Sequence, residues 1–310
     1  MNKIVSFMTS YKDDSQNTKI FIYLISILAL INILSIFPDL YSIYSKNGII
    51  SESLNSNFVS ADKIKVSTLT ENIISLTSIE YKYAFIIPFY LYLISLIMIL
   101  LNYWKILFAI IVIFLHTVFL NSAYLLSYGA DFMIAFLLYI NLFFCIEDQI
   151  KVESYKGIIF SFAVRLMQIQ LCIIYFFGGF GKVLGFDWLD GNAIWLCINH
   201  YLDEKVINSF FAHIPKFIYQ LASLHVTILE LLFPIFVFLS KNIRKWTVIN
   251  IIIMHIVIAL VIKIYTFSIA MLLFNIIAFY PGKFSILMKY LDEKRSVIFK
   301  QKNKNNEVTT

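Results

Sequence analysis

Apolar residues in this chain are spaced neither every three to four positions, as on a half-buried helix, nor on alternate positions, as in a half-buried strand. They fill whole stretches close to the length that crosses a bilayer. The runs fall at 20–37, 84–101, 106–125, 131–145, 158–180, 219–240, 247–262 and 264–281. A buried parallel sheet also reads as unbroken apolar sequence, but its runs are about 4–8 residues long and alternate with amphipathic helices. No such alternation occurs here. Lipid offers no hydrogen-bond partner to irregular backbone, so the runs must be helices. The pattern predicts an all-α, polytopic integral membrane bundle with about eight transmembrane helices.

The polar segments complete the plan. Residues 1–19, with Lys3, Lys12 and Lys19, form an N-terminal segment ahead of a membrane domain over 20–281. The first run lacks a small-residue cleavage site and is read as a retained helix. Residues 38–83 are rich in Ser and Asn and are expected to form a small extracytoplasmic cap, since a structureless loop of that length is unusual. The 181–218 loop mixes aromatic, charged and amide residues and suits an interfacial or re-entrant helix. Residues 282–310 are polar and basic, the composition of a disordered tail. With the N-terminus placed inside, inner segments carry roughly twice the Lys and Arg of outer ones, which puts both termini in the cytoplasm. Lys241, Arg244 and Lys245 in one loop, against a 125–130 turn without Lys or Arg, agree with that orientation.

Composition excludes the soluble alternative. Hydrophobic residues make up 60% of the chain and charged residues 14%, against about 25% charged in ordinary soluble domains. The net charge of +6 sits mainly in membrane-flanking segments, which reflects orientation and not nucleic-acid binding. Cys145, Cys172 and Cys197 show neither a disulfide framework nor metal-ligand spacing, and Cys172 reads as a small core residue.

Ionisable groups inside apolar runs cost several kcal/mol unless paired or hydrated, so they mark candidate sites. Five stand out: His116, Arg165, His225, Glu230 and His255. Each also has a structural reading as an interhelical hydrogen bond or a snorkelling side chain. His225 and Glu230 are five positions apart, a rotation of roughly 140° on a helix, so they address different neighbours. His255 can meet either. No local spacing supports a metal site. Pro234, four residues after Glu230, is placed to kink the helix and free a backbone carbonyl.

The fifth run carries a polar stripe. Gln168, Tyr175 and Lys182 follow one another at seven-residue steps, a drift of only about 20° each, so they share a helix face. Gln170 lies off that face. The segment GGFGKVLGFDWLDGNAIW at 178–195 follows. Its glycines permit close backbone approach or a helix break, and it matches neither the Walker nor the dinucleotide-binding pattern. Asp187 and Asp190 flank Trp188 at the expected membrane interface. One reading is a glycine turn with an indole anchor; the other is an outward-facing pocket with Lys182 at its base. Lysine serves as a base only where burial or a neighbouring cation weakens its hold on the proton, and a direct pairing with Asp187 would oppose that.

Gln170, Tyr175, the glycine-rich 178–181 turn, Lys182, Asp187–Trp188 and Gly191 together resemble the HTTM family, the membrane domain similar to vitamin K-dependent gamma-carboxylase. Upstream, LNSAYLLSYGAD at 120–131 is similar to that family's Asn-rich helix end and tyrosine-glycine turn, which draws in Asn121. The compact bacterial branch that includes the sporulation-delaying protein B type is the most similar. The resemblance implies a place in a bacterial cytoplasmic membrane, a role in maturing a secreted antimicrobial peptide, and as partners a peptide toxin precursor and a small accessory maturation protein. It also implies Lys182 as the base, with reduced quinone as the cofactor in the carboxylases. The chain departs from the carboxylases at Ser122 and Ala123, where they carry a histidine after the asparagine, and residues 282–310 hold no counterpart of their large extracytoplasmic domain.

The leading expectation is therefore a membrane factor for export-linked processing of an antimicrobial peptide. Its outward pocket would use Lys182 and Tyr175 with Gln168, Gln170, Asp187, Trp188, Asp190 and Asn121. Three alternatives stand beside it: a quinone-dependent carboxylase or oxidoreductase, a toxin-binding chaperone or immunity partner without catalysis, and a proton-coupled transporter using His225, Glu230 and His255. Eight unequal runs without inverted repeats weigh against the last.

Overall fold

The computed structural model describes residues 3–11, 18–46, 48–60, 62–282 and 286, and every regular element among them is helical. In chain order the α-helices begin with α1 (Lys3–Thr9), α2 (Thr18–Ile36), α3 (Leu40–Tyr44), α4 (Glu52–Asn55), α5 (Val66–Thr77), α6 (Tyr81–Leu100), α7 (Lys105–Ser122) and α8 (Gly129–Gln149). They continue with α9 (Glu153–Leu184), α10 (Phe186–Leu189), α11 (Ala193–Tyr201), α12 (Glu204–Ser209), α13 (Lys216–Leu231), α14 (Phe233–Leu239), α15 (Lys241–Ile262) and α16 (Tyr265–Phe279).

Each of the eight apolar runs becomes helical, the 219–240 run as two helices, but the number able to span is smaller. Six segments among the described residues are long and apolar enough to cross a membrane: Thr18–Tyr44, α6, α7, α8, α9 and α15. The pair α13 and α14 counts as a seventh if taken as one span bent by 67°. The last run forms the 15-residue α16, about 22 Å long against a hydrocarbon core of about 30 Å. The expected eight is thus six or seven by length. The helices are apolar almost all round, the pattern of spans that face lipid as well as neighbours. On α6, Ile87, Leu91 and Ile94 are exposed on one face while Phe85, Phe89, Tyr92 and Leu96 are buried on another. The chain is a multi-pass integral membrane protein.

It divides into two compact units, one of 1–126, 135–165 and 276–310 and the other of 127–134 and 166–275. In the first, α6 packs against α2 and α7. The Phe89 and Phe119 rings stack at 4.5 Å, and the Tyr92 hydroxyl meets His116 Nδ1 at 3.1 Å. Several interior polar groups are paired: Asn141 donates to Ser26 Oγ at 3.1 Å, Thr18 donates to Glu147 at 2.5 Å, and Lys105 forms an ion pair with Asp148. Arg165 donates from Nε to the Phe7 carbonyl at 3.1 Å, and its guanidinium lies 4.1 Å from the Phe7 ring centre. That side chain holds the N-terminal segment.

The 38–83 stretch carries α3, α4 and α5 and is tied to the end of α7. Asn55 donates to the carbonyls of Asn121 and Ser122 at 2.9 and 3.2 Å, Asn121 donates to Ile64 O at 3.2 Å, and Ser122 Oγ receives Val66 N–H at 2.7 Å. The described part of that stretch is therefore packed against α7 and is not a structureless loop. The basic tail beyond 282 lies outside the described residues, apart from 286.

In the second unit, Pro234 lies in the first turn of α14, where it supplies no N–H and its ring displaces the carbonyl four residues back, that of Glu230. The chain bends at Leu232 for that reason. The 181–218 loop forms three short helices and a 3₁₀ turn at Phe211–His213, closed over a small core of Ile198, Ile207 and Tyr219 with Trp195 and Val261 packed against it. Gly191 is left-handed at φ 75°, and a Cβ there would collide with Gln220.

Candidate functional site

The site gathers on α9, α13, α15 and α16, all within residues of the second unit. Lys182 stands in the last turn of α9, where a cation suits the helix dipole. Its Nζ donates to Glu230 Oε2 at 2.5 Å and lies 5.0 Å from the centre of the Trp188 ring. The Glu230 side chain is 8% exposed and that of Lys182 20%. Removing one partner of such a buried pair leaves an uncompensated charge, at a cost of about 3–5 kcal/mol in well-buried cases.

Glycine makes this pairing possible. A Cβ on Gly179 would collide with the backbone of Leu231, and one on Gly178 would sit 3.1 Å from Glu230 Oε2. The bare backbone of α9 therefore lies directly against the bent end of α13, which brings the carboxylate to the lysine. Gly181, with open space around it, has no such role.

One heptad earlier on α9, the buried Tyr175 hydroxyl lies 3.1 Å from His255 Nε2 on α15 and accepts a 2.6 Å hydrogen bond from Asn275 Nδ2 on α16. Asn275 also donates to the Met271 carbonyl at 2.9 Å. The Phe233 ring packs 4.3 Å from that of Tyr175, and the Phe267 ring meets His255 edge-on at 5.7 Å. On α11, burial pushes the Cys197 thiol up, and the Lys182 ammonium pulls it the other way.

Of the residues singled out by sequence, Lys182, Tyr175, Glu230 and His255 come together. The partner of Lys182 is Glu230, while Asp187 and Asp190 are exposed and contribute through backbone carbonyls, to Asn192 N–H at 2.8 Å and to the Gln220 side chain at 3.3 Å. Gln168 is buried on the shared face and Gln170 is half-buried off it. His225 is exposed and makes no part of the cluster. His116, Arg165 and Asn121 belong to the first unit, in the contacts given above. Among the described residues no three His, Cys, Asp or Glu side chains converge as metal ligands. Asn275 escaped the sequence reading, although an isolated amide in the last apolar run is the same kind of signal that drew attention to the histidines.

Compared with protein-family models, curated proteins and solved structures, the chain matches none. Fold and site thus define a class: a multi-pass, all-helical membrane protein with a part-buried lysine–glutamate pair one heptad from a tyrosine–histidine–asparagine cluster.

Proposed function

We propose that this chain is a factor of the HTTM type, set in a bacterial cytoplasmic membrane with both termini inside, that acts in the maturation of a secreted antimicrobial peptide. Its working group is the Lys182–Glu230 pair. The observation that carries the reading is the 2.5 Å contact of a partly exposed lysine with a buried glutamate, at the glycine-lysine motif on which the resemblance rests. Transfer of a proton from Nζ to Oε2 leaves a neutral amine and a neutral acid. The pair's net charge does not change, so a low-dielectric surrounding does not penalise the transfer as it would an isolated ionisation. Lys182 then has a free lone pair to take a proton from a bound group, and Glu230 holds the first proton until release.

The test replaces Lys182 with Ala, and separately Glu230 with Gln, in a host making the peptide precursor, with membrane abundance matched by immunoblot. Both variants are expected to leave the precursor mass unchanged and to stop release of the mature peptide. Normal processing by an abundant Lys182→Ala protein would overturn the assignment. A precursor retained in complex with the protein but never altered in mass, even by the unmodified chain, would leave a binding role in place of a catalytic one.

A further inference from the structure

Lys65 is the N-cap residue of α5 and only 7% exposed, and its ammonium forms no ion pair or hydrogen bond among the described residues. Buried charges in proteins are paired, because an ammonium taken out of water without a counter-charge is costly. Lys65 borders a cavity of about 30 Å³ within the first unit, between the end of α3, α4, the start of α5 and the end of α7. The described lining carries two lysines, Lys46 and Lys65, three serines, Ser45, Ser67 and Ser122, and no carboxylate. The Lys46 charge is met by Glu71, and Ser122 Oγ already accepts Val66 N–H. Ser45 is 5% exposed, and its Oγ is buried without a partner.

An ammonium and a hydroxyl both donate, and the positive end of the 12-residue α5 adds to the same field, so the cavity favours negative charge. Asn55 also lines it, and its Oδ1 is buried without a partner. The ammonium carries three hydrogens, enough for that acceptor and an anion together. Water would satisfy the serine and the asparagine but would leave the lysine charge uncompensated. Size narrows the choice further. One water needs roughly 10–15 Å³ of such space, so this cavity holds a monatomic ion more readily than a tetrahedral oxyanion. We infer that Lys65 and Ser45 hold a single halide ion, chloride being the common one, and that the ion ties the 38–83 cap to the end of α7. The inference stands independently of any action of Lys182 on a peptide.

Thermal unfolding of the full chain in phosphatidylcholine nanodiscs, with gluconate exchanged for chloride at constant ionic strength, reads the site. A ligand that binds only the folded state raises its stability as it saturates, so the melting temperature should climb with chloride and level off. Chloride nuclear magnetic resonance of the same sample should show a broadened line that bromide narrows by competition. Lys65→Met should lose both effects, and Lys241→Met, at an exposed lysine of α15, should keep them. If Lys65→Met does not accumulate, Ser45→Ala decides. In gluconate it should melt no lower than the unmodified chain, since the hydroxyl it removes has no partner, and it should gain less from chloride. A melting temperature indifferent to chloride, an undiminished gain in either variant, or a larger gain from phosphate than from chloride overturns the inference.

Discussion

Among the described residues, two lysines pair with an acid on a different membrane-spanning helix, and they differ in what else holds them. Lys105, the first residue of α7, binds Asp148 and also donates to Asn102 Oδ1 at 3.0 Å, with its side chain only 4% exposed. Asn102 and Trp104 are both left-handed, at φ 59° and 40°, so the lysine closes a strained turn between α6 and α7. Its ammonium has two acceptors and no access. Lys182 has one carboxylate, an indole face and a side chain that is 20% exposed. The first arrangement spends its charge on structure. The second leaves part of the lysine side chain exposed beside its carboxylate, and the proposed function rests on that difference.

The largest effect expected from this contrast falls on stability at the first pair. Lys105→Met strands Asp148 and opens the α6–α7 turn, and should cost about 3–5 kcal/mol, read as a loss of thermal stability in detergent and of membrane abundance. Gly179→Ala comes next, since its Cβ meets the Leu231 backbone and forces α9 from α13; overpacking of this kind costs about 1–3 kcal/mol. Gly181→Ala, made in open space on the same helix, should instead stabilise by up to about 1 kcal/mol. A comparison of the two melting temperatures checks both signs at once.

The smallest effect is on Cys197, outside the spans. Because burial raises its thiol, maleimide labelling at neutral pH should be slow and should quicken as pH rises through and above the ordinary thiol range. Lys182 opposes that rise, so Lys182→Met should slow labelling of Cys197 further at a fixed pH. An unchanged rate, followed by mass mapping of the labelled cysteine, would mean that the Lys182 charge is not felt on α11.

Most of the helical plan was legible because unbroken apolar runs leave lipid-embedded backbone one conformation. The span count was less so: the 264–281 run yields a 15-residue helix, and the 219–240 run is broken by Pro234 at a point the sequence did mark. The site was half legible. The heptad spacing of Tyr175 and Lys182 put both on one face, and the rotation between His225 and Glu230 separated an exposed imidazole from a buried carboxylate. Which groups pair was hidden, since Glu230 lies 48 residues from Lys182 and His255 lies 80 from Tyr175. Nearby Asp187 drew attention by sequence proximity, yet α13 carries the actual partner. Lys105 and Asp148 read as loop charges for the same reason, their contact joining residues 43 apart.

The central claim is that the two lysine pairs divide structure from function. Its most direct test measures mature peptide released per folded molecule for Lys182→Met and Lys105→Met side by side, with folded protein counted by size-exclusion chromatography. The expected result is a Lys105→Met protein that, though scarcer, processes the precursor at close to the unmodified rate per folded molecule, and a Lys182→Met protein that, whatever its abundance, does not process it. Equal losses per molecule, or normal processing by Lys182→Met, would contradict the account.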